Sequence, residues 1–384
     1  MESARELQRL PLPDSGHLNL VILLSLLETS ERGYAFHTER MPITHRSGFH
    51  VWFPQLPKDV PLVTIDDFEN YVARLGDFAR YARDHIALMR RGIEKGLVLP
   101  RVVLEGVEDS IVPHIVDDPT DSLLYEPFGT FPASIPEPEH DRLRALGRDA
   151  ISRSVVVGFR EFLEFMTKEY LPRARVSIGA SELPNGDEFY SHRVRHFTTL
   201  DVSPEEIHKT GLDEVARIRK EMEAVMRTTD FEGSFESFLD FLRTDDRFYA
   251  QSGEELLKEV AWILKKMDGE LPKLFKRLPR TPYGVEPIPD YIAPRTTTAY
   301  YRRPLADGTR AGMYAVNLYD LRSRPLYELE ALSLHEAVPG HHLQIALQQE
   351  LEGLPEFRRF AIFTAFVEGV GALCGASWSR GRIL

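Results

Sequence analysis

The chain has 384 residues, with 47 Lys and Arg against 59 Asp and Glu and a formal net charge of −12. This acidic balance argues against a nucleic-acid partner, because binding phosphates needs a basic face. The single cysteine excludes a disulfide framework and a cysteine-based metal cluster.

The first apolar stretch, Leu18–Leu27, has ten residues and is too short to cross a membrane. It follows acidic and proline-bearing sequence, without the basic leader and cleavage site of a signal peptide. We therefore expect a buried helix here and no membrane-spanning segment. The oligomeric state is left open.

Helical periodicity dominates the first 278 residues. Thr64 and the acidic residues after it predict the start of a long amphipathic helix. A second long helix is predicted over residues 137–170. Ser203 and Ser252 each carry a capping signature ahead of another amphipathic helix. We therefore predict a mainly α fold in which residues 1–278 form a helical body.

The character of the sequence changes near residue 279. Five prolines between residues 279 and 294 interrupt helix formation. Residues 296–301 and 313–318 then read as strands, and residues 326–349 return to helix. The segment 279–369 is therefore predicted to be a small sheet followed by helices, within the same globular unit.

The stretch LHEAVPGHHLQ at 334–344 contains the residues that suggest chemistry. Imidazole nitrogens suit zinc, and Glu336 beside His335 is placed to take a proton from water. In the plain H-E-x-x-H motif, two histidines four residues apart share one helical face. Here the fourth residue after His335 is Pro339, so the plain motif is absent.

Helix geometry limits the alternatives. On a straight helix, His341 is about 120° from the face of His335, and His342 is about 10.5 Å along the axis. Neither could share an ion with His335. We therefore expect a distorted helix at 338–340, where a two-residue bulge would bring His341 into place. The other interpretation is two core histidines beside a helix kink.

The string HEAVPGHHLQ resembles the signature of the bacterial domain-of-unknown-function family 885, a relative of the gluzincin zinc peptidases and oligopeptidases. The resemblance covers most of residues 20–369 and implies a largely α-helical fold with a deep cleft. Further segments that resemble the family are RSGFHVWFPQLP at 46–57, DFENYVARL at 67–75, MRRGIEKGLVLPRVV at 89–103, YLPRARVSIGASELPNGDEFY at 170–190, EEIHKTGLDEVARIRKEM at 205–222, AYYRRP at 299–304 and FVEG at 366–369.

The resemblance implies a zinc peptidase acting on a peptide substrate. His335, His341 and Glu368 are then the zinc ligands, and Glu336 is the general base. His342 remains an alternative second ligand; His341 would then support a ligand without binding the ion itself. Two further functions stay open: a non-catalytic descendant that binds a peptide or partner, and a metal-dependent hydrolase of non-peptide amides.

In gluzincins, an edge strand before the motif helix pairs with the substrate backbone. The resemblance places residues 313–318 in that role. Tyr301 and Asn317 are accordingly predicted to contact substrate. The alternative for both is ordinary strand packing.

The chain departs from the family pattern after Gly369, where family members continue for well over a hundred residues. We interpret residues 370–384 as a tail read in a shifted frame. The chain is then expected to be truncated at both ends, with little or no activity and poor solubility. A signal peptide could be missing upstream, so localisation is left open.

Overall fold

A computed structural model of the chain describes residues 6–7, 11–44, 46–305, 308 and 310–379, with the backbone alone for 376–379. The predicted mainly α fold with a small sheet is confirmed. Within the described residues, the α-helices are α1 (Asp14–Tyr34), α2 (Phe49–Trp52), α3 (Ile65–Glu94), α4 (Glu137–Ala150), α5 (Val156–Phe165), α6 (Gly186–Thr198), α7 (Pro204–Met226), α8 (Phe235–Thr244), α9 (Gly253–Leu274), α10 (Leu326–Glu336), α11 (His341–Gln349), α12 (Glu356–Phe360) and α13 (Thr364–Ser379).

Contacts between residues divide the chain into two compact units. One is Gly33–Phe189, and the other combines Met1–Arg32 with Tyr190–Leu384. The predicted division after residue 278 was placed where the sequence becomes rich in proline, and it does not coincide with a boundary between these two units. It stays a prediction.

The Gly33–Phe189 unit is built on α3. As predicted, this helix begins after Thr64, whose hydroxyl accepts from the Asp67 N–H while the Asp67 carboxylate accepts from the Thr64 N–H. The buried face of α3 packs on α5, and the approach is close. A methyl group on Gly158 of α5 would lie 2.8 Å from the Phe78 ring.

The long helix predicted over residues 137–170 is also present. It runs from α4 through the π-helical turn Ile151–Val155 into α5, and continues through a second π-helical turn, Met166–Tyr170. Leu143, Ile151 and Phe159 are buried along it, so one face of the whole helix contributes to the core.

In the other unit, α9 and the sheet share a core. Ser252 caps α9, as predicted, by accepting from the Glu255 N–H. Leu256 and Val260 of α9 are fully buried in the same apolar cluster as Tyr314. Ser203 forms the predicted capping box of α7, yet α7 has no buried residue.

The sheet has three strands in the order β1 (Tyr283–Pro287), β3 (Gly312–Val316), β2 (Ala299–Arg302). The central strand β3 pairs in parallel with β1 and antiparallel with β2. Both predicted strands are present with shifted ends, whereas β1 was not predicted. The expectation that residues 313–318 form an edge strand is wrong, because β3 is paired on both sides.

The first apolar stretch lies in α1. Leu20 and Leu24 are buried, but Leu18 and Val21 are more than half exposed, so the helix is amphipathic rather than buried. In the part of the chain that the structure describes, no helix combines the length and the apolar content needed to cross a membrane.

Candidate metal centre

The motif helix is broken at the position where a distortion was expected. α10 ends at Glu336 and α11 begins at His341, with residues 337–340 between them. The proline in this break has no N–H to continue the helical ladder. The Gly340 N–H instead donates to the Leu334 carbonyl at 2.9 Å. The helix therefore stops and restarts rather than bulging by two residues.

This break brings three candidate ligands together. The rings of His335 and His341 are 4.4 Å apart between centroids. Glu368 Oε2 lies 3.3 Å from His335 Nε2 and 3.8 Å from His341 Nε2. One ligand atom from each of the three residues lies within 4.8 Å of the others. Two atoms that share a zinc ion at about 2.0–2.1 Å are at most about 4 Å apart, so a small closure would suffice.

Glu368 reaches the cluster because α13 packs closely on α10. A methyl group on Gly371 would lie 2.8 Å from the His335 ring, and one on Gly375 would lie 2.8 Å from the Ala331 carbonyl oxygen. Residues 370–379, assigned to the out-of-frame tail, continue α13; residues 380–384 lie outside the described residues. The frame shift itself stays a prediction.

The Glu336 side chain is buried beside this cluster. Burial and, to a lesser extent, the negative charge of Glu368 raise the pKa of its carboxyl to about 7. A hydrogen bond from the backbone N–H of Tyr301 opposes this shift. A carboxyl group with a pKa near neutrality can both accept and release a proton at physiological pH.

His342, the alternative ligand, is held elsewhere. Its Nδ1 lies 2.9 Å from the Tyr301 hydroxyl, and its ring also hydrogen-bonds the Thr281 backbone. Burial lowers the pKa of His342 to about 4. A methyl group on Gly312 would lie 2.2 Å from the Tyr301 hydroxyl oxygen, so this contact requires glycine. Among the described residues, the structure brings His341 into the cluster with His335, and leaves His342 out.

The two residues predicted to contact substrate, Tyr301 and Asn317, have hydrogen-bond partners within the chain. Tyr301 directs its hydroxyl to His342, as just described. Asn317 is fully buried; its Nδ2 donates to the carbonyls of Ala293 and Thr297, and its Oδ1 accepts from the Tyr319 N–H. This amide holds the chain that follows β3, and the substrate contacts of Tyr301 and Asn317 stay predictions.

Sequence reasoning missed the polar groups behind Glu336. Tyr314 of β3 is fully buried, and burial raises the pKa of its hydroxyl; the nearby Ser333 hydroxyl lowers this pKa, and the negative charge of Glu336 raises it. Ser333 precedes Glu336 by three residues and so shares its helical face. The three-residue spacing could have indicated that Ser333 lies near Glu336. No comparable sequence signal marks Tyr314, which looks like an ordinary core residue in a strand.

Comparison with known proteins supports a fold and a family. No curated protein matches the chain. A crystal structure of the "putative lipoprotein" from Colwellia psychrerythraea has the same fold, with a TM-score of 0.80 and 24% identity, over 89% of this chain. This chain spans 62% of the length of that one.

The match to a family covers nearly the whole chain. The model of a family described as bacterial proteins of unknown function, DUF885, matches residues 2–371. The HEAVPGHHLQ motif and the helices that carry it lie within the matched region. The chain therefore belongs to the DUF885 family.

Proposed function

We propose that this chain is a zinc-dependent hydrolase that cleaves peptide bonds. The observation that carries the proposal is the convergence of His335, His341 and Glu368 beside the buried carboxyl of Glu336. Two histidines and one carboxylate are a donor set of catalytic zinc sites, in which three protein ligands leave a coordination position open.

The three residues fit a zinc ion. The ligand atoms nearest one another are nitrogens of His335 and His341 and an oxygen of Glu368. His341 faces the cluster through Nε2, which lies 3.8 Å from Glu368 Oε2. Glu368 is the most exposed of the three, so the cluster is open to solvent on that side. Zinc held there would supply Lewis acidity, polarising a substrate carbonyl and acidifying water.

Glu336 would act as the general base and then as the general acid of the reaction. Its carboxylate accepts a proton from the water that attacks the peptide carbonyl, and the proton then passes to the leaving amine as the C–N bond breaks. The pKa of about 7 suits both transfers.

The test measures zinc content and peptide hydrolysis on the same samples. We expect one zinc ion per chain and at most weak peptide hydrolysis, in line with the little activity expected from the sequence. A Glu336→Gln variant should keep its zinc and hydrolyse peptides at least about 100-fold more slowly still. Glu330→Gln, an exposed position on the same helix α10, is the matched control and should keep its activity.

Three results would contradict the proposal. A chain without zinc would remove its basis. Peptide binding without turnover would favour a non-catalytic descendant, and turnover confined to non-peptide amides would favour a different hydrolase.

A further inference from the structure

A cavity of about 370 Å³ lies between α11 and the start of α13. Its size is within the range of small-molecule sites. Its lining is mainly apolar, and includes Leu347, Leu351, Phe363, Phe366 and Val367, together with the polar Gln344.

The wall of this cavity is held by specific hydrogen bonds. Gln348 Nε2 donates to the carbonyls of Arg358 and Ala361, each at 2.9 Å. The Arg358 guanidinium donates to the side-chain oxygen of Asn19 on α1 at 3.0 Å. These contacts fix the segment between α11 and α13, so the cavity is a built feature of the unit.

Gln344 differs from Gln348, although both lie on one face of α11. Both polar atoms of the Gln344 amide are buried, and neither has a hydrogen-bond partner among the described residues. Leaving a buried amide unpaired costs free energy. The terminal torsion of glutamine is broad, so this amide can turn toward a partner that enters the cavity.

The cavity adjoins the candidate metal centre through two elements. Gln344 lies one helical turn after His341 on α11, and Val367 directly precedes Glu368 on α13. A molecule that reaches the ligands and enters the cavity therefore meets a mainly apolar surface that carries the unpaired amide of Gln344.

We propose that this cavity binds an apolar side chain of the peptide substrate, and that the Gln344 amide pairs with the adjoining backbone amide. The proposal rests on the proposed peptidase function. A carboxamide offers one acceptor and two donors, which complement a peptide N–H and C=O. Peptides with leucine-like residues beside the cleaved bond are then the preferred substrates.

The experiment compares two blocked amino acids of similar shape, N-acetyl-leucine N-methylamide and N-acetyl-asparagine N-methylamide. Their dissociation constants for the zinc-loaded and zinc-free chain are measured by NMR titration. We expect the leucine probe to bind at least about tenfold more tightly, because only its side chain suits an apolar cavity. Equal binding of the two probes would overturn the proposal.

Two variants assign the binding to the cavity. Gln344→Leu should raise the melting temperature, because it removes the unpaired amide, while weakening binding of the leucine probe about tenfold. Ala361→Trp should fill the cavity and abolish binding. A lower melting temperature of Gln344→Leu, or unchanged binding to either variant, would contradict the assignment.

Zinc content separates this proposal from the function on which it rests. If the chain lacks zinc but binds the leucine probe more tightly, the peptidase proposal is refuted and the cavity proposal is supported. If the chain binds zinc and hydrolyses peptides but binds both probes equally, only the cavity proposal is refuted.

Discussion

At the scale of single residues, the sequence left the second histidine ligand open between His341 and His342. Spacing could not decide, because the answer depends on how the chain turns through residues 337–340. In the structure, His341 faces Glu368, and His342 is hydrogen-bonded to Tyr301. Two adjacent histidines therefore have different surroundings.

This difference predicts unequal effects of substitution on zinc binding. His341→Gln removes a proposed ligand and should weaken zinc affinity by more than about 100-fold. His342→Gln removes the contacts of this ring with Tyr301 and the Thr281 backbone, and should weaken zinc affinity by less than about tenfold. Competition titration with a chelator measures both. A larger loss in His342→Gln than in His341→Gln would reverse the assignment.

A third histidine, His114, concerns stability rather than the site. It is almost fully buried against the Phe159 ring in the Gly33–Phe189 unit. Burial lowers its pKa to about 4, below the ordinary value of 6.5. Between these pH values the unfolded chain binds a proton that the folded chain does not bind, so stability falls as the pH falls.

We therefore expect His114 to contribute up to about 3 kcal/mol to the loss of unfolding free energy between pH 6.5 and 4. Denaturant unfolding of the chain and of His114→Leu across this range tests it, and the variant should show a shallower dependence. His208→Leu, at an exposed position, is the control. Parallel curves for the chain and His114→Leu would refute the expectation.

At the scale of elements, the helices were predictable and the sheet only in part. Capping residues such as Thr64 and Ser252 mark helix starts locally, and those starts are present. β1 was missed because its five residues, YGVEP, lie in a proline-rich stretch, where local signals oppose a strand. Its pairing with β3 is a non-local contact, which no local pattern shows.

The break in the motif helix gives the sharpest prediction at this scale. A methyl group on Gly340 would lie within 2.0 Å of the His335 carbonyl oxygen and 2.5 Å from that of Leu334. Gly340→Ala should therefore lower the unfolding free energy by about 3 kcal/mol or more, and should also weaken zinc binding.

The control for this substitution is Gly269→Ala, in the interior of α9. A methyl group there contacts nothing within 4 Å, so the variant should be as stable as the chain or up to about 1 kcal/mol more stable. Denaturant unfolding compares the two. Equal stability of the two variants would show that the break tolerates a side chain.

At the scale of the whole molecule, helical periodicity predicted the fold class, but it did not predict which helix faces are exposed. An amphipathic pattern such as that of α7 normally indicates a buried face. In the structure α7 has no buried residue, and Val215 and Val225 are 67% and 60% exposed. Periodicity predicts a helix, but the presence of a covering partner depends on the rest of the fold.

The exposed apolar stripe of α7 comprises Leu212, Val215, Ile218, Met222 and Val225. It predicts concentration-dependent association, since contiguous apolar surface favours association. A Val215→Lys, Val225→Lys double variant should stay monomeric at higher concentration in light scattering, with its unfolding free energy within about 0.5 kcal/mol of the chain. Val176→Lys, at a position outside α7 that is 86% exposed, is the control. Unchanged association of the double variant would place the contact elsewhere.

We propose above that His335, His341 and Glu368 hold one zinc ion beside Glu336. Anomalous diffraction at the zinc edge from crystals of the chain tests it most directly. We expect a single strong peak within about 2.3 Å of ligand atoms from all three residues. A peak away from His335 and Glu368, or no peak in zinc-soaked crystals, would contradict it.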